Sequence, residues 1–487
     1  MTTYTINATK GKEYDVIVCG AGTAGVIAAI AAGRQGADVL LIERSFHVGG
    51  MLTEGNAGIT KFTEHCKDIN EYNKEVIDKL ATDPRSVQVA GGIAHELCER
   101  IVKAGGGVGT NGDFGSYVFT ERYTAEAVIL DMLEEAGAEI LYDSRVCVVD
   151  MDGDTLKKVV VANKSGFAEY SAKCFIDSTG DADVAYLAGV ECNLGAVEND
   201  VLEGGARGLG EMQPMGVMYR VEGVDYEGLF EHLETKGGFN IQSCALQDLE
   251  TVKANYKKGD MACFVVMIPN PDPVSGARVP RIAVQVYVTP SHTGAILLAC
   301  GPTHNSFTGN GIDPAQLTKG QNLMVHGALE ITEILRREYP TGFGRAKVTH
   351  VPDIGVRETR HIVGKYVMNA LDVMSGREFE DSIGCGGHHI DTNTVPKEIR
   401  AMGMSHWRFH IPYSIMLPEK VKNLLVAGRA VSGTKLASGT LRVSVACMEM
   451  GEAAGVAAAM AAKEGISPDE IDVKALQKTL LDGGSII

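Results

Sequence analysis

The run Gly20-Ala-Gly22-Thr-Ala-Gly25 constrains this chain more than any other segment, because of what stands on either side of it. Residues 14–19, Tyr-Asp-Val-Ile-Val-Cys, are a short β-branched run expected to form a buried parallel strand. Residues 26–33 continue as an alanine-rich helix, and a second strand over 38–42 ends at Glu43, 23 positions after the first glycine. Each glycine has its own task. Gly20 permits the tight turn, Gly22 lets a pyrophosphate approach the backbone, and Gly25 lets helix and strand pack closely. The helix N-terminus turns free N–H groups and a positive dipole end toward phosphate. Glu43 is placed to accept hydrogen bonds from a ribose with free hydroxyls. With its full strand, turn, helix, strand and acid context, this is a dinucleotide-binding unit.

The same glycine spacing recurs at Gly107, Gly109 and Gly112. There a helical segment over 94–104 precedes it and no acid follows at the right distance, so it reads as a flexible loop without a ligand.

Composition narrows the setting. The 487 residues are 45% apolar and 22% charged, as in an ordinary globular protein, and the net charge of −17 speaks against nucleic acid and anionic membrane as partners. The longest apolar stretches, near 16–32 and 453–461, are Gly/Ala-rich and shorter than the ~20 residues of a membrane span. The first residues lack a positively charged, apolar leader, and a cytoplasmic protein is expected. The eleven cysteines are scattered without C-x-x-C spacing; no metal site is expected, and most thiols read as small buried fillers in a reducing compartment.

Further along, a helix is expected over 124–137, strands over 139–141, 146–151, 156–162 and 174–177, and a mostly β middle with strands near 212–222, 260–268, 280–289 and 294–300. A helix is expected over 313–339, a strand over 423–429 and a long helix over 442–463. The fold class is α/β: a Rossmann-like dinucleotide domain assembled from both ends of the chain (1–195 and 401–487) around a β-rich substrate domain (196–400).

A dinucleotide site of this kind holds NAD or FAD. Two glycines directly after the ribose acid, in Arg44-Ser-Phe-His47-Val-Gly49-Gly50-Met51, stand where the flavin version of the fold returns under the cofactor. The C-terminal helix offers a second dipole end for the flavin pyrimidine edge. The segments YDVIVCGAGTAG with ERSFHVGGMLTEG, CFIDSTGDADVAYLAGV, MQPMGVMYRVEGVD, PDIGVRETRHIVGKYVMNALDV and IPYSIMLPEKVKNLLVAGRAVSGTKLASGTLRVSVACMEMGEAAGVAAA are spread over nearly the whole chain. On them the chain resembles the FAD-dependent oxidoreductases of the glutathione-reductase-like superfamily, and within it a bacterial family related to the fumarate reductase flavoproteins. The resemblance implies FAD contacts at Gly20, Gly22, Gly25, Glu43, Arg44, Gly50, Val146, Thr179, Gly180, Asp181, Gly428 and Arg442, to which Thr23, Ala24, Gly49, Met51 and Arg429 are added as their neighbours.

The chain departs from that pattern at Gly387-His388-His389-Ile390-Asp391, where a tyrosine–proline pair would precede Ile-Asp, and at Ser405-His406-Trp407-Arg408-Phe409-His410. His388, His389, His406 and His410 are acid–base candidates, with Asp391 to orient one of them. Arg357 and Arg360, three apart on an expected helix start, are a candidate carboxylate clamp, with ion pairing or a contact to the flavin domain as the plainer role. Tyr413 is a further proton-donor candidate, and His47 beside the double glycine is a candidate for covalent flavin attachment, with an ordinary loop histidine as the plainer role.

No second glycine fingerprint exists for NADH and no cysteine pair for a disulfide relay, so the electron partner is a second substrate or an external carrier. The expected activity is hydride transfer between flavin and a small organic substrate. Either a C–H beside a hydroxyl or amine is oxidised, or an activated C=C is reduced. A flavin-binding assembly protein without turnover and a non-redox flavoprotein of the thiazole-biosynthesis or tRNA-modification kind are the alternatives. A homo-oligomer is compatible with all three.

Overall fold

The computed structural model describes residues 5–60, 65–66, 88–109, 117–240, 248–260, 262–271, 280–300, 306–392, 394–396 and 406–487. β1 (Ala8–Cys19) leads through Gly20–Gly22 into helix α1 (Thr23–Arg34), and β2 (Val39–Ile42) returns beside β1 in parallel. Helices α2 (Gly92–Lys103) and α3 (Arg122–Glu135) follow, and then β3 (Glu139–Leu141) adds in parallel to β2. An antiparallel ribbon of β4 (Arg145–Asp152), β5 (Thr155–Asn163) and β6 (Gly166–Asp177) brings the chain back, β6 pairing in parallel with β1. Val16, Ile17 and Val18 are fully buried, as expected for a strand covered on both faces.

The second sheet is antiparallel. Its strands are β7 (Tyr219–Glu222), β8 (Phe239–Asn240), β9 (Cys263–Pro269), β10 (Arg281–Val288), β11 (Gly294–Cys300) and β12 (Lys347–His350), in the order β8-β9-β10-β11-β7-β12. Their alternation gives two apolar faces. One packs with residues from Tyr226–Lys236, Leu249–Lys258 and α4 (Pro314–Glu338), through side chains such as Leu229, Val252 and Ile331. The other carries Val265, Ala283, Tyr287 and Ile296 and meets Phe119 of the first half, whose ring stacks on Tyr287 at 4.4 Å. The strand and helix expectations for this region agree closely with these bounds.

β13 (Arg360–Ile362) pairs with Cys192–Leu194, and β14 (Ser382–Gly386) pairs with β15 (Phe409–Pro412). These segments rejoin the first half, so the strands of the second sheet end at His350. β16 (Leu424–Val426) completes the parallel sheet beside β6. The expected helix over 442–463 is preceded by another: α5 (Lys435–Leu441) ends at Arg442, Val443 is extended, and α6 (Ser444–Glu464) starts anew. The break re-aims the chain and frees Arg442 to reach sideways.

Small residues let α6 lie directly on α1. A Cβ on Gly451 would stand 2.3 Å from the Ala24 carbonyl oxygen, and one on Gly455 2.2 Å from that of Ala28. Two further expectations are corrected. Gly107–Gly109 is a strand paired with Tyr117–Thr120, because its backbone finds ladder partners; Gly112 lies outside the described residues. Residues 357–359 do not begin a helix. Thr359 is drawn to Asp181 and Glu358 to Lys435, and these tertiary bonds hold the segment extended.

Candidate functional site

The carboxyl ends of β2, β1, β6 and β16 lie side by side, where an open α/β sheet places its ligand. Their loops are stitched together: the Gly20 N–H donates to the Ile42 carbonyl at 2.7 Å, Ser178 N–H to Cys19 at 2.8 Å, and Ala427 N–H to Asp177 at 3.0 Å. Gly20 has φ of +96°, and a Cβ there would stand 2.6 Å from the Ser178 carbonyl. A Cβ on Gly25 would stand 1.8 Å from the Gly20 carbonyl oxygen. At Gly22, in contrast, a Cβ would meet nothing within 4 Å. Space over Gly22, at the N-terminus of α1 (Thr23 and Ala24 form its first turn), is what an approaching pyrophosphate needs.

Glu43 holds the cradle's shape while keeping capacity for a ligand. Its carboxylate accepts from Ala21 N–H at 2.7 Å and from Ser45 N–H at 2.8 Å, two of the roughly four acceptor positions a carboxylate has. Ser144 N–H donates to the Glu43 carbonyl, which brings the start of β4 with Val146 beside this loop. Gly49 and Gly50 both have positive φ and fold the next loop back, so that a Cβ on Gly50 would stand 3.0 Å from the Gly22 Cα. Met51 follows, 41% exposed, at the mouth of that loop.

Asp181 is the charge centre of the opposite wall. It accepts from Arg429 at 2.7 Å and from the Thr359 hydroxyl at 2.6 Å. Burial pushes its pKa up, but Arg429, Thr359 and the Arg44 guanidinium outweigh burial and hold it below the usual carboxylate range. The Arg429 guanidinium covers Gly180, and Gly428 (φ +95°) makes the turn that puts it there. Thr179 serves the loop itself, donating through N–H and hydroxyl to buried Asp177. The Ser178 hydroxyl and Arg429 Nε are buried and have no protein partner. With the open space at Gly22, they fit a polar dinucleotide.

A second cluster gathers around Asp391. Arg442 donates to its carboxylate at 2.7 Å and to its carbonyl at 2.9 Å. The Thr440 hydroxyl donates to the His388 carbonyl at 2.7 Å, and the His388 and His389 rings stack with centroids 4.3 Å apart. Asp391 is crowded by protein yet its side chain is half accessible. Crowding raises its pKa; Arg442, His388, Arg357 and His389 more than reverse this and hold it well below the carboxylate range. The structure therefore brings together His388, His389, Asp391, Arg357 and Arg442, from three separate stretches of chain.

The other candidates go elsewhere. Arg360 turns away from Arg357: it pairs with Asp183 at 3.0 Å, donates to the Asp181 carbonyl and lies over the Tyr186 ring, so the two arginines form no clamp. Tyr413 is buried and donates to the Pro468 carbonyl at 2.9 Å; burial pushes its pKa well up, and as a proton donor it is corrected to a packing residue. His410 stands opposite Cys385 on the β14–β15 ribbon, its Nδ1 3.4 Å from the Ser382 hydroxyl and 3.6 Å from the Cys385 sulfur. The backbone of His406 pairs with Cys66; its side chain lies outside the described residues. His47 Nδ1 lies 3.0 Å from Glu126.

Several residues of the site carry no sequence signal. Glu126 of α3 accepts from Val48 N–H and so anchors the double-glycine loop across the sequence. Lys435 is wholly buried and pairs with buried Glu358 at 2.5 Å. A lone charge inside the run of small and uncharged residues Ser432–Leu441 was the one visible hint. His350 bridges Asn56 and Arg122 where the two sheets' halves meet; burial and then Arg122 bring its pKa down to about 4.

A family model described as FAD dependent oxidoreductase matches residues 15–480. The chain is similar to a digeranylgeranylglycerophospholipid reductase of Methanosarcina acetivorans (31% identical over 186 residues, 38% of this chain and 42% of the relative). It is similar over shorter stretches to a vinyl phenol reductase of Lactiplantibacillus plantarum (37% over 70 residues, 14% of each chain) and a 3-oxosteroid 1-dehydrogenase of Mycolicibacterium smegmatis (41% over 49 residues, 10% and 9%). These matches span less than half the length of each relative. Among solved structures, a geranylgeranyl bacteriochlorophyll reductase-like protein of Thermoplasma acidophilum aligns over 97% of this chain and 83% of its own at 12% identity, with a TM-score of 0.42. Among the described residues one helix, Ser444–Glu464, is long and apolar enough to cross a membrane, and 94% of its apolar window is buried inside the fold.

Proposed function

Because this chain belongs to the FAD dependent oxidoreductase family, we propose that it is a redox enzyme that transfers a hydride between FAD and a carbon of a small organic substrate. The observation that carries the reading is the convergence of His388, His389, Arg357 and Arg442 on Asp391.

In this reading Gly20, Gly22, Gly25, Glu43, Arg44, Gly50, Asp181 and Arg429 hold the cofactor, which supplies hydride acceptance or donation. His388 and His389 hold or move the proton that balances the hydride, since an imidazole changes charge near neutral pH. Asp391 stays ionised and favours a protonated imidazole beside it. Arg442 fixes Asp391 through two bonds to the same residue, so the acid cannot swing away. Arg357 adds a positive charge that draws an electron-withdrawing or anionic group of the substrate. The mutually diverging arginines weigh against a paired carboxylate clamp, yet two of the curated relatives are reductases by name. Reduction of an activated C=C is therefore the direction we favour, with oxidation beside a hydroxyl or amine as the second reading.

We further place the family within the glutathione-reductase-like superfamily, near the fumarate reductase flavoproteins, on the quoted motifs. A cytoplasmic setting, a small-molecule substrate, a separate electron donor or acceptor and no nucleic-acid or membrane partner complete the proposal.

The experiment is anaerobic. The purified, FAD-loaded protein is mixed with alcohols, sugars, amines, hydroxy acids and NADH in turn, and the visible spectrum is followed. Bleaching by NADH or dithionite with recovery on an enone or unsaturated acid is the expected result. Bleaching by one alcohol or amine class reverses the direction, and a spectrum that no small molecule moves overturns turnover altogether.

A further inference from the structure

Helix α5 links the Asp391 cluster at one end to the segment that carries Arg357 at the other. At its C-terminal end Thr440 bonds the His388 carbonyl and Arg442 holds Asp391. Gly439 makes room for this: a Cβ there would stand 2.6 Å from Thr392 Cγ2 and 3.1 Å from the Asp391 backbone N and O. At its N-terminal end lies Lys435, whose ammonium is fully buried. It donates to Glu358 at 2.5 Å and to the Glu211 carbonyl at 3.0 Å. The same Glu358 oxygen accepts from Gln213 N–H at 2.8 Å, and Lys435 N–H donates to Asp200 at 2.6 Å. Four segments thus meet at one ion pair.

Glu358 directly follows Arg357. Residues 356–358 have no regular hydrogen-bonded structure of their own; the backbone is tied on either side of them, where Gly355 pairs with Gly216 and the Thr359 carbonyl accepts from Gly195 N–H. Between these ties side chains add to the hold: Glu358 on Lys435, then Thr359 and Arg360 on Asp181. A buried ion pair is weak evidence of stability, because desolvating two charges offsets most of their attraction. It is better suited to fixing one arrangement, since any shift leaves both charges buried and unmatched.

We infer that Lys435 is a positioning residue, whose buried pair with Glu358 holds the Arg357 segment at a fixed span from Asp391 across helix α5. The inference rests on the proposed site. It adds that the charge on one wall is set by a lysine that touches no substrate.

The test uses the full-length, FAD-loaded protein and its Lys435→Met, Lys435→Arg, Arg357→Gln and Lys435→Met/Arg357→Gln variants. Hydrogen–deuterium exchange of the peptide covering 354–362 is measured together with the rate of flavin reoxidation or reduction by the compound the panel identifies. The expected result for Lys435→Met is retained FAD, exchange about tenfold faster in 354–362, and a rate lowered about tenfold. Adding Arg357→Gln then costs little more, because the arginine is already displaced. Lys435→Arg restores exchange protection and rate. Wild-type exchange in Lys435→Met, or rate losses that multiply in the double variant, overturns the inference. If Lys435→Met does not fold, Glu358→Gln carries the same comparison, with the same two overturning results. A wild-type protein without FAD would sink the functional proposal, while the exchange comparison would still decide this one.

Discussion

Gly25 faces the carbonyl oxygen of Gly20 so closely that a Cβ would stand 1.8 Å from it, whereas a Cβ on Gly22 would meet nothing within 4 Å. Two glycines of one turn thus serve different masters, the first the fold and the second the ligand. Gly25→Ala is expected to destabilise the protein by about 1–3 kcal/mol or more, with loss of FAD as a consequence. Gly22 has φ of −74°, which alanine adopts freely. Gly22→Ala should leave the apoprotein within about 0.5 kcal/mol of wild type and weaken FAD binding tenfold or more, about the worth of one lost phosphate approach. Thermal unfolding of apoprotein beside FAD titration separates the two. Equal behaviour of both variants would refute the division.

Helix α6 carries two buried acids, Glu449 and Glu452. Burial raises both pKa values, that of Glu449 well above the ordinary value and that of Glu452 to about 7; Glu452 accepts from Ile93 N–H and the Ser485 hydroxyl. A folded-state pKa above the unfolded one means the native state binds more protons, so stability is greatest near pH 4–5 and falls as pH rises toward 7 and beyond. Glu449→Gln removes the charge at nearly constant shape. It should raise stability at pH 8 by on the order of 1–3 kcal/mol, with a smaller gain at pH 5. Urea unfolding at the two pH values measures this, and a larger gain at pH 5 would show the sign to be wrong.

Tyr413 and the histidine pair predict opposite outcomes. Tyr413→Phe deletes a hydroxyl bonded to the Pro468 carbonyl in the core. It should cost about 1 kcal/mol of stability and leave the rate of flavin turnover unchanged. Replacement of the proton-transferring member of His388 and His389 by asparagine should lower that rate about 10²- to 10⁴-fold, with FAD retained. Steady-state rates of the three variants settle the assignment.

Asp391 gives a pH prediction. Because Arg442 and its neighbours hold its pKa well below the carboxylate range, it stays ionised through the whole working range. In the favoured reduction the imidazole donates its proton, so the alkaline limb of the rate profile should belong to it, and Asp391→Asn should lower the rate while shifting that limb to lower pH, since a histidine loses the anion that favours its charged form. A limb that stays in place on this substitution would separate Asp391 from the histidines.

The nucleotide half was legible because its signals are local. Strand, Gly20 turn, helix and Glu43 all fall within one short stretch, and the period of the apolar residues marks each element. The Asp391 cluster was legible only as residue types: His388, His389 and Asp391 stood out, but nothing in sequence tied Arg357 to them. Arg360 went the other way for the same reason. Spacing of three suggested one helical face, whereas Asp181 and Lys435 pull the segment straight. Tyr413 was read for its hydroxyl as a proton donor, yet its ring sits in the core with Ile411 and Ile415. Lys435 had no signal beyond its setting, because a buried charge is recognised by its partner, and Glu358 lies 77 positions away.

The most direct measurement compares wild type with His388→Asn, His389→Asn and Asp391→Asn, each loaded with FAD, in anaerobic stopped-flow reaction with the compound that moves the wild-type spectrum. The account predicts equal FAD content in all four, with the Asp391 variant and at least one histidine variant slowed about 10²-fold or more. Wild-type protein that takes up no FAD, or three variants that react at the wild-type rate, would contradict it.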